Sequence, residues 1–357
     1  MRFEPNWNTD AVFHHLAPQT YMRAWKHIGS SVYYILKDDS NIKDNWNRNT
    51  KSLAGVDNFF SRRAGALFKS ERDCNQYFEP LKDYTVEFKQ KLLDAPLKLN
   101  QYYRDFDEWV IYDSNSNIVS EDKRIELKKS IDDIHIRDIE VGWARLYEDK
   151  WPSLRDDILN SISSNQGASK IPSIRREELV NFMVSMEWRT KPTHPELLKI
   201  YEELVGMDLF EVFINEAIPE NERMYPFIDT EKENILHNIL LSTYHNFLNK
   251  SGSMHEESER IIHYMNIELL IAEKNSQFVT SDNPVCRFTN SDNQVEYIFP
   301  ISPEVACTVR KGNPYDENHF LVSHLDKLKV FEYNQKLKEN CYKGYILREP
   351  DLSYYFK

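Results

Sequence analysis

Glycine is scarce in this 357-residue chain. It holds only nine, with no GxGxxG and no GxxxxGK[ST], which excludes the glycine loops that cradle dinucleotides and triphosphates. Cysteine is equally sparse. Cys74, Cys286, Cys307 and Cys341 lie far apart with no CxxC, so neither a disulfide framework nor a structural zinc site is expected, and four reduced, mostly buried thiols are. There is no G-x-S-x-G elbow and no HExxH, which removes the α/β-hydrolase and zincin routes to hydrolysis. Long apolar runs are missing as well: nothing approaches the roughly 18 to 20 residues that span a bilayer, and Met1 to Asn6 lack a signal peptide's apolar stretch. The expectation is a soluble cytoplasmic protein without a membrane partner. Positive charge is in deficit, at 45 Lys and Arg against 57 Asp and Glu, for a net −12. Such a field repels a phosphate backbone at long range and disfavours non-specific nucleic-acid binding. The basic pairs Arg62-Arg63, Arg175-Arg176 and Arg310-Lys311 read as solvated surface, with anion focusing in a cleft as the alternative.

What is present is core material. Apolar residues make up 41% of the chain and aromatic ones 13%, too much for a disordered polymer. The length suits one large domain or two ordinary ones. Ser31 to Leu36 reads as a strand, and Asp38 to Thr50 as a polar loop. Helical character builds over Tyr84 to Leu93. Glu121 to Tyr147 reads as one charged amphipathic helix with Ser120 as its cap, and Pro152 opens or kinks the next. Leu179, Phe182, Met183 and Met186 fall at helical spacing, as do Leu236, Ile239, Leu240, Tyr244, Phe247 and Leu248, with Gly252 near the expected end. The last third switches period. Runs at 267–271, 277–280, 285–288, 295–299 and 305–309 suggest an antiparallel meander, followed by a helix near 325–340 and a strand near 345–347. The predicted class is α+β, a predominantly helical body with a C-terminal antiparallel β-meander. One domain spans 1–357: a helical body over about 53–262, and a β-rich part over about 263–357 completed by the segment 1–52.

Three local patterns stand in order along the chain. The first is His15-Leu16-Ala17-Pro18-Gln19-Thr20-Tyr21-Met22-Arg23-Ala24-Trp25. The second is Trp188-Arg189-Thr190. The third is Phe278-Val279-Thr280-Ser281-Asp282-Asn283-Pro284-Val285, followed by Phe299-Pro300-Ile301-Ser302-Pro303. Together they resemble the family called domain of unknown function 4238, with its His-x-x-Pro-Gln-x-Tyr-Leu opening, aromatic-Arg-Thr element, Thr-Ser-Asp-x-Pro-Val and Pro-x-Ser-Pro. The resemblance runs from His15 to about Asn334. It departs at Met22, where Leu is usual, and at Pro192, which stands one residue later than the pattern has it. It implies a family spread through bacteria, phages and fungi, and it implies no particular reaction.

Four residues form the candidate site. His15 precedes Pro18 on extended or turning backbone; it suits a metal ligand or general base, or else its ring bonds a carbonyl and staples the first segment down. Asp282 sits in Ser281-Asp282-Asn283-Pro284, a good strand corner that could also aim a carboxylate into a cleft. Glu140 and Glu148 lie eight residues apart, about 80° in azimuth if on one helix. Both are ordinarily solvent-facing, and Glu148 is the better candidate because Tyr147 and Trp151 could desolvate it. Arg189 could clamp a phosphate or carboxylate, or pair with an internal acid. Pro192 to Glu196 reads as a helix start with Thr193 as cap.

Hard oxygen ligands with one histidine and one arginine suit phosphoryl chemistry. The expected function is therefore a hydrolytic effector, a metal-assisted phosphodiesterase or nuclease in a bacterial defence or toxin-like role. In that reading His15, Glu148 and Asp282 hold Mg²⁺ or Mn²⁺, Arg189 stabilises the phosphate, and a nucleic acid or nucleotide is the substrate. The alternative is a non-enzymatic binding or regulatory module that docks a partner protein or small ligand. The acidic balance favours it, since nucleases usually present a basic path. The test between them is spatial: the four residues either share one hollow or do not.

Overall fold

The computed structural model describes residues 1–39, 46–66, 71–190, 217–220, 223, 225–312 and 315–357, with backbone alone at 72 and 73. The helix start expected at Pro192 to Glu196 and part of the expected 38–50 loop lie outside these residues.

The class is α+β. Fifteen strands are described: β1 Phe13–His15, β2 Ser31–Leu36, β3 Asn47–Asn49, β4 Gly55–Asp57, β5 Thr85–Phe88, β6 Lys91–Leu92, β7 Val110–Tyr112, β8 Lys170–Pro172, β9 Met265–Ala272, β10 Thr280–Ser281, β11 Cys286–Thr289, β12 Val295–Pro300, β13 Val305–Lys311, β14 His319–Leu325 and β15 Gly344–Leu347. The largest sheet has the order β11-β12-β13-β9-β14-β8. It departs from the expected meander in two ways. β14 pairs parallel with β9, and the far edge is β8 from the middle of the chain. β10 and β15 join instead a second sheet, β10-β15-β2-β3, where the N-terminal β2 lies between late and early strands. The helical body is likewise interrupted, because residues expected to be helical near 84–93 form β5 and β6, which build a three-stranded sheet with β7. Val86 and Phe88 point inward alternately, a period-2 pattern that outweighs local helix preference.

The long middle helix is broken. Glu121–Asp132 ends before Ile136, whose amide and carbonyl bond Arg62, and Asp138–Leu146 starts afresh. Ser120 caps the first by accepting from the Lys123 amide at 3.3 Å. Trp151–Ser164 begins with Pro152 in its first turn, and Arg176–Arg189 buries the expected stripe. Glu231–Leu248 opens with a capping box between Thr230 and Glu233. Gly252 does not end it; with φ 78° it enters the next helix, Ser253–Tyr264. Lys327–Asn340 closes the set.

Three apolar clusters result. The main one packs the first segment, the helices and one face of the large sheet around Tyr21, Trp25, Trp143, Trp151, Phe182 and Phe299, with Trp151 stacked on Phe182 at 4.2 Å. A second lies within residues 64–136, and a third joins the other sheet face to the C-terminal helix. All four cysteines are free and buried. Two of the basic pairs are not simply surface. Arg62 is buried in a bidentate pair with Asp138, and Arg176 is buried donating to the Ile262 and Met265 carbonyls, so each spends its charge on groups that would otherwise be orphaned.

Candidate functional site

The three sequence patterns fold onto one another. The Tyr21 hydroxyl donates to the Pro300 carbonyl at 2.9 Å and lies 2.6 Å from Thr280 Oγ1. Trp25 Nε1 donates to Phe278 O at 2.8 Å, and the Thr190 hydroxyl donates to Asn283 Oδ1 at 2.7 Å. Each bond is buried and spans a large separation in sequence, so the motif residues hold the core together before they do anything else.

Arg189 is the centre of what remains. It ends its helix with no solvent exposure, and the Tyr244 hydroxyl fixes that end by donating to Trp188 O at 2.6 Å. Nη2 reaches Glu148 Oε1 at 2.7 Å and donates to the His15 carbonyl at 2.6 Å. The guanidinium carbon stands 5.1 Å from the Trp143 ring centroid and 5.3 Å from that of Phe60, a cation–π platform. Glu140 adds a second carboxyl. Burial, then the charge of Glu148, pushes its pKa up to about 8 against the pull of Arg189. Burial also raises Glu148, with Arg189 opposing. Arg189 Nε and Nη1, Trp143 Nε1 and Glu140 Oε2 are all sealed from solvent, and none has a hydrogen-bond partner among the described residues.

His15, Glu148 and Arg189 therefore meet, but not as expected. Glu148 lies off the helix on the 3₁₀ turn Glu148–Lys150, so the azimuth argument for Glu140 and Glu148 fails. His15 contributes its backbone carbonyl, while its ring bonds the Lys51 carbonyl at 3.2 Å and its pKa is lowered by burial, with Arg189 adding to the effect. His14 is the more buried ring. It accepts from the Phe60 amide at 2.7 Å, and burial lowers its pKa to about 4.

Asp282 is held by hydrogen bonds of its own. Its Oδ1 accepts from the Tyr342 amide at 2.8 Å, and its Oδ2 accepts from Lys343 N at 2.8 Å, Gly344 N at 3.1 Å and the Tyr34 hydroxyl at 3.2 Å. Burial raises its pKa against those amides. With Oδ2 accepting three bonds, the carboxylate clamps the end of β10 to the start of β15, the corner role. Among the described residues no three His, Cys, Asp or Glu side chains are grouped to hold a metal ion. The sequence does not point to Phe60 or Trp143, because a ring that will shelter a cation looks there like any core aromatic.

The protein-family comparison gives one match, to the family described as protein of unknown function DUF4238, over residues 14–351. The chain belongs to that family. No curated protein and no solved structure matches it. Among the described residues no helix is long and apolar enough to cross a membrane.

Proposed function

We propose that this DUF4238 chain is a hydrolase of phosphate esters that works from Glu140, Glu148 and Arg189. The observation carrying the proposal is the set of buried, unpartnered polar atoms around one guanidinium: two N–H positions of Arg189, the Trp143 indole N–H and one Glu140 oxygen. Desolvated groups of this kind are costly unless a ligand uses them. Unpartnered N–H groups on a buried guanidinium suit phosphoryl oxygens. A carboxyl with a pKa near 8 keeps its proton at neutral pH, so Glu140 donates it to the leaving oxygen as the P–O bond breaks. Glu148 takes a proton from the attacking water, whose oxygen bonds phosphorus. A Mg²⁺ or Mn²⁺ ion remains part of the proposal as a companion of the substrate phosphate, with Glu148 the one expected ligand still free of a backbone clamp.

The test is hydrolysis of bis(p-nitrophenyl) phosphate, single-stranded RNA and DNA, and nucleotides, each with Mg²⁺, with Mn²⁺ and with a chelator. Activity should fall about 10²- to 10⁴-fold in Glu140→Gln and comparably in Glu148→Gln, and persist in Asp282→Asn. Undiminished turnover in both glutamine variants, or none in the wild type on any substrate, would sink the proposal. A binding or regulatory module is the second reading, favoured by the net charge of −12. It predicts saturable nucleotide or peptide binding without turnover.

A further inference from the structure

A cavity of about 600 Å³ opens where the helices Asp138–Leu146 and Glu231–Leu248 end and Arg176–Arg189 begins, and Arg189 does not line it. Its base is apolar, formed by the buried Phe3, Leu146, Leu154, Phe182 and Leu248. Its rim is polar and carries more cationic than anionic groups. Arg2, Lys150 and Lys250 face Glu177 and Glu178. Both carboxylates are occupied, Glu177 by Lys250 at 3.3 Å and Glu178 by Arg175 through two contacts of 3.0 and 2.6 Å. Lys150 lies near enough to influence Glu178 but pairs with nothing among the described residues, and neither does Arg2. The size is that of a small-molecule site, and an apolar floor with a few convergent polar groups is the usual build of one. Two unpaired cations at its edge, in a chain whose overall charge is negative, select the sign of the ligand's head group.

We propose that this cavity binds a small amphipathic anion: an aromatic or branched apolar body seated on Phe182 and Leu154, with a carboxylate or phosphate head at Lys150 and Arg2. Its position gives the ligand leverage. Tyr147, which caps the 3₁₀ turn carrying Glu148, and Lys150, which ends that turn, both line the cavity, and Asn181 lies on the helix that ends in Arg189. Occupancy would thus press on the turn carrying Glu148, although binding itself requires no catalysis.

The experiment is calorimetry on the full chain with four probes of one shape: 1-naphthyl phosphate, 1-naphthoate, 1-naphthol and 1-naphthylmethylamine. The two anions should bind saturably, 1-naphthol about tenfold more weakly and the amine not measurably. Phosphate against carboxylate then names the head group. Lys150→Glu should weaken the anions at least about tenfold, the size of one lost charge contact, with an unchanged circular-dichroism spectrum. Leu154→Lys, which raises a charge from the floor, should abolish binding of every probe. Equal affinity across the four probes, a preference for the amine, no saturation by any probe, or indifference to Lys150→Glu would each overturn the proposal. Since no turnover is read, these results stand apart from the hydrolase proposal.

Discussion

At the scale of single residues, the chemistry turns on which carboxyl keeps its proton. Glu140 holds one up to about pH 8 in the folded chain, whereas the ordinary carboxyl releases it near 4.5. Between those values the folded state binds more protons than the unfolded one, so stability must fall as pH rises from about 4.5 to about 8, and level off above. Glu140→Gln removes that titration. Urea unfolding of the variant across pH 5 to 8 should show a flatter profile than the wild type, with the gain largest at the alkaline end. An identical slope in both proteins would show that Glu140 is not the group responsible. Asp282 gives the opposite kind of expectation. Its loss frees three backbone amides and the Tyr34 hydroxyl, so Asp282→Ala should cost about 2–3 kcal/mol in denaturant titration, while each molecule that remains folded keeps its full activity. Only part of this was legible beforehand. The sequence singles out His15 on the turn before Pro18, Glu148 between Tyr147 and Trp151, and Arg189 in its aromatic-Arg-Thr element, and the three do meet. That His15 would offer a carbonyl and Asp282 would be consumed by amides could not be read, because backbone partners leave no mark in side-chain spacing. Glu140 was noticed and discounted because a charged residue on a polar helix is usually wet.

At the scale of elements, the readable and unreadable parts divide by period. Helices with a continuous apolar stripe, such as Arg176–Arg189, and strands with β-branched alternation, such as β2, β12 and β13, stand close to where the sequence puts them. Where the pattern is mixed the reading fails. Thr85 to Leu92, expected to be helical, alternates too briefly to stand out from its neighbours and becomes the β5–β6 hairpin, and 121–147 breaks because Ile136 bridges to Arg62. β14 was missed altogether, since His319 to Leu325 mixes two histidines with apolar residues and shows no clean alternation. Strand β15 is sensitive to a single added atom. A Cβ at Gly344 would collide with the Ile35 carbonyl oxygen of β2 and lie 2.7 Å from the Tyr34 ring, while the Gly344 amide already serves Asp282. Because backbone cannot rotate away as a side chain can, Gly344→Ala should lower the unfolding midpoint by the equivalent of about 2–3 kcal/mol. A midpoint within error of the wild type would mean that β2 and β15 are looser than this packing implies.

At the scale of the whole molecule, the first segment and the last strands are mutually dependent. β2 hydrogen-bonds β15, Tyr21 reaches Thr280 and Pro300, Trp25 reaches Phe278, and Lys37 donates to the Cys341 carbonyl at 3.1 Å. Removing residues 344–357 should therefore affect far more than the C-terminal sheet. Hydrogen exchange is expected to show lost protection across 13–36 together with 278–300, while the 64–136 cluster keeps its own. Protection confined to its wild-type level at 13–36 would refute this coupling.

That dependence imposes an order on synthesis. Until Phe278, Thr280 and Pro300 have been made, Tyr21 and Trp25 lack their acceptors, and until β15 follows them β2 has one flank vacant, so the opening segment must wait, half-finished and aromatic, for partners far along the chain. Contacts of such long sequence separation close slowly, and in the interval those aromatic side chains stay uncovered.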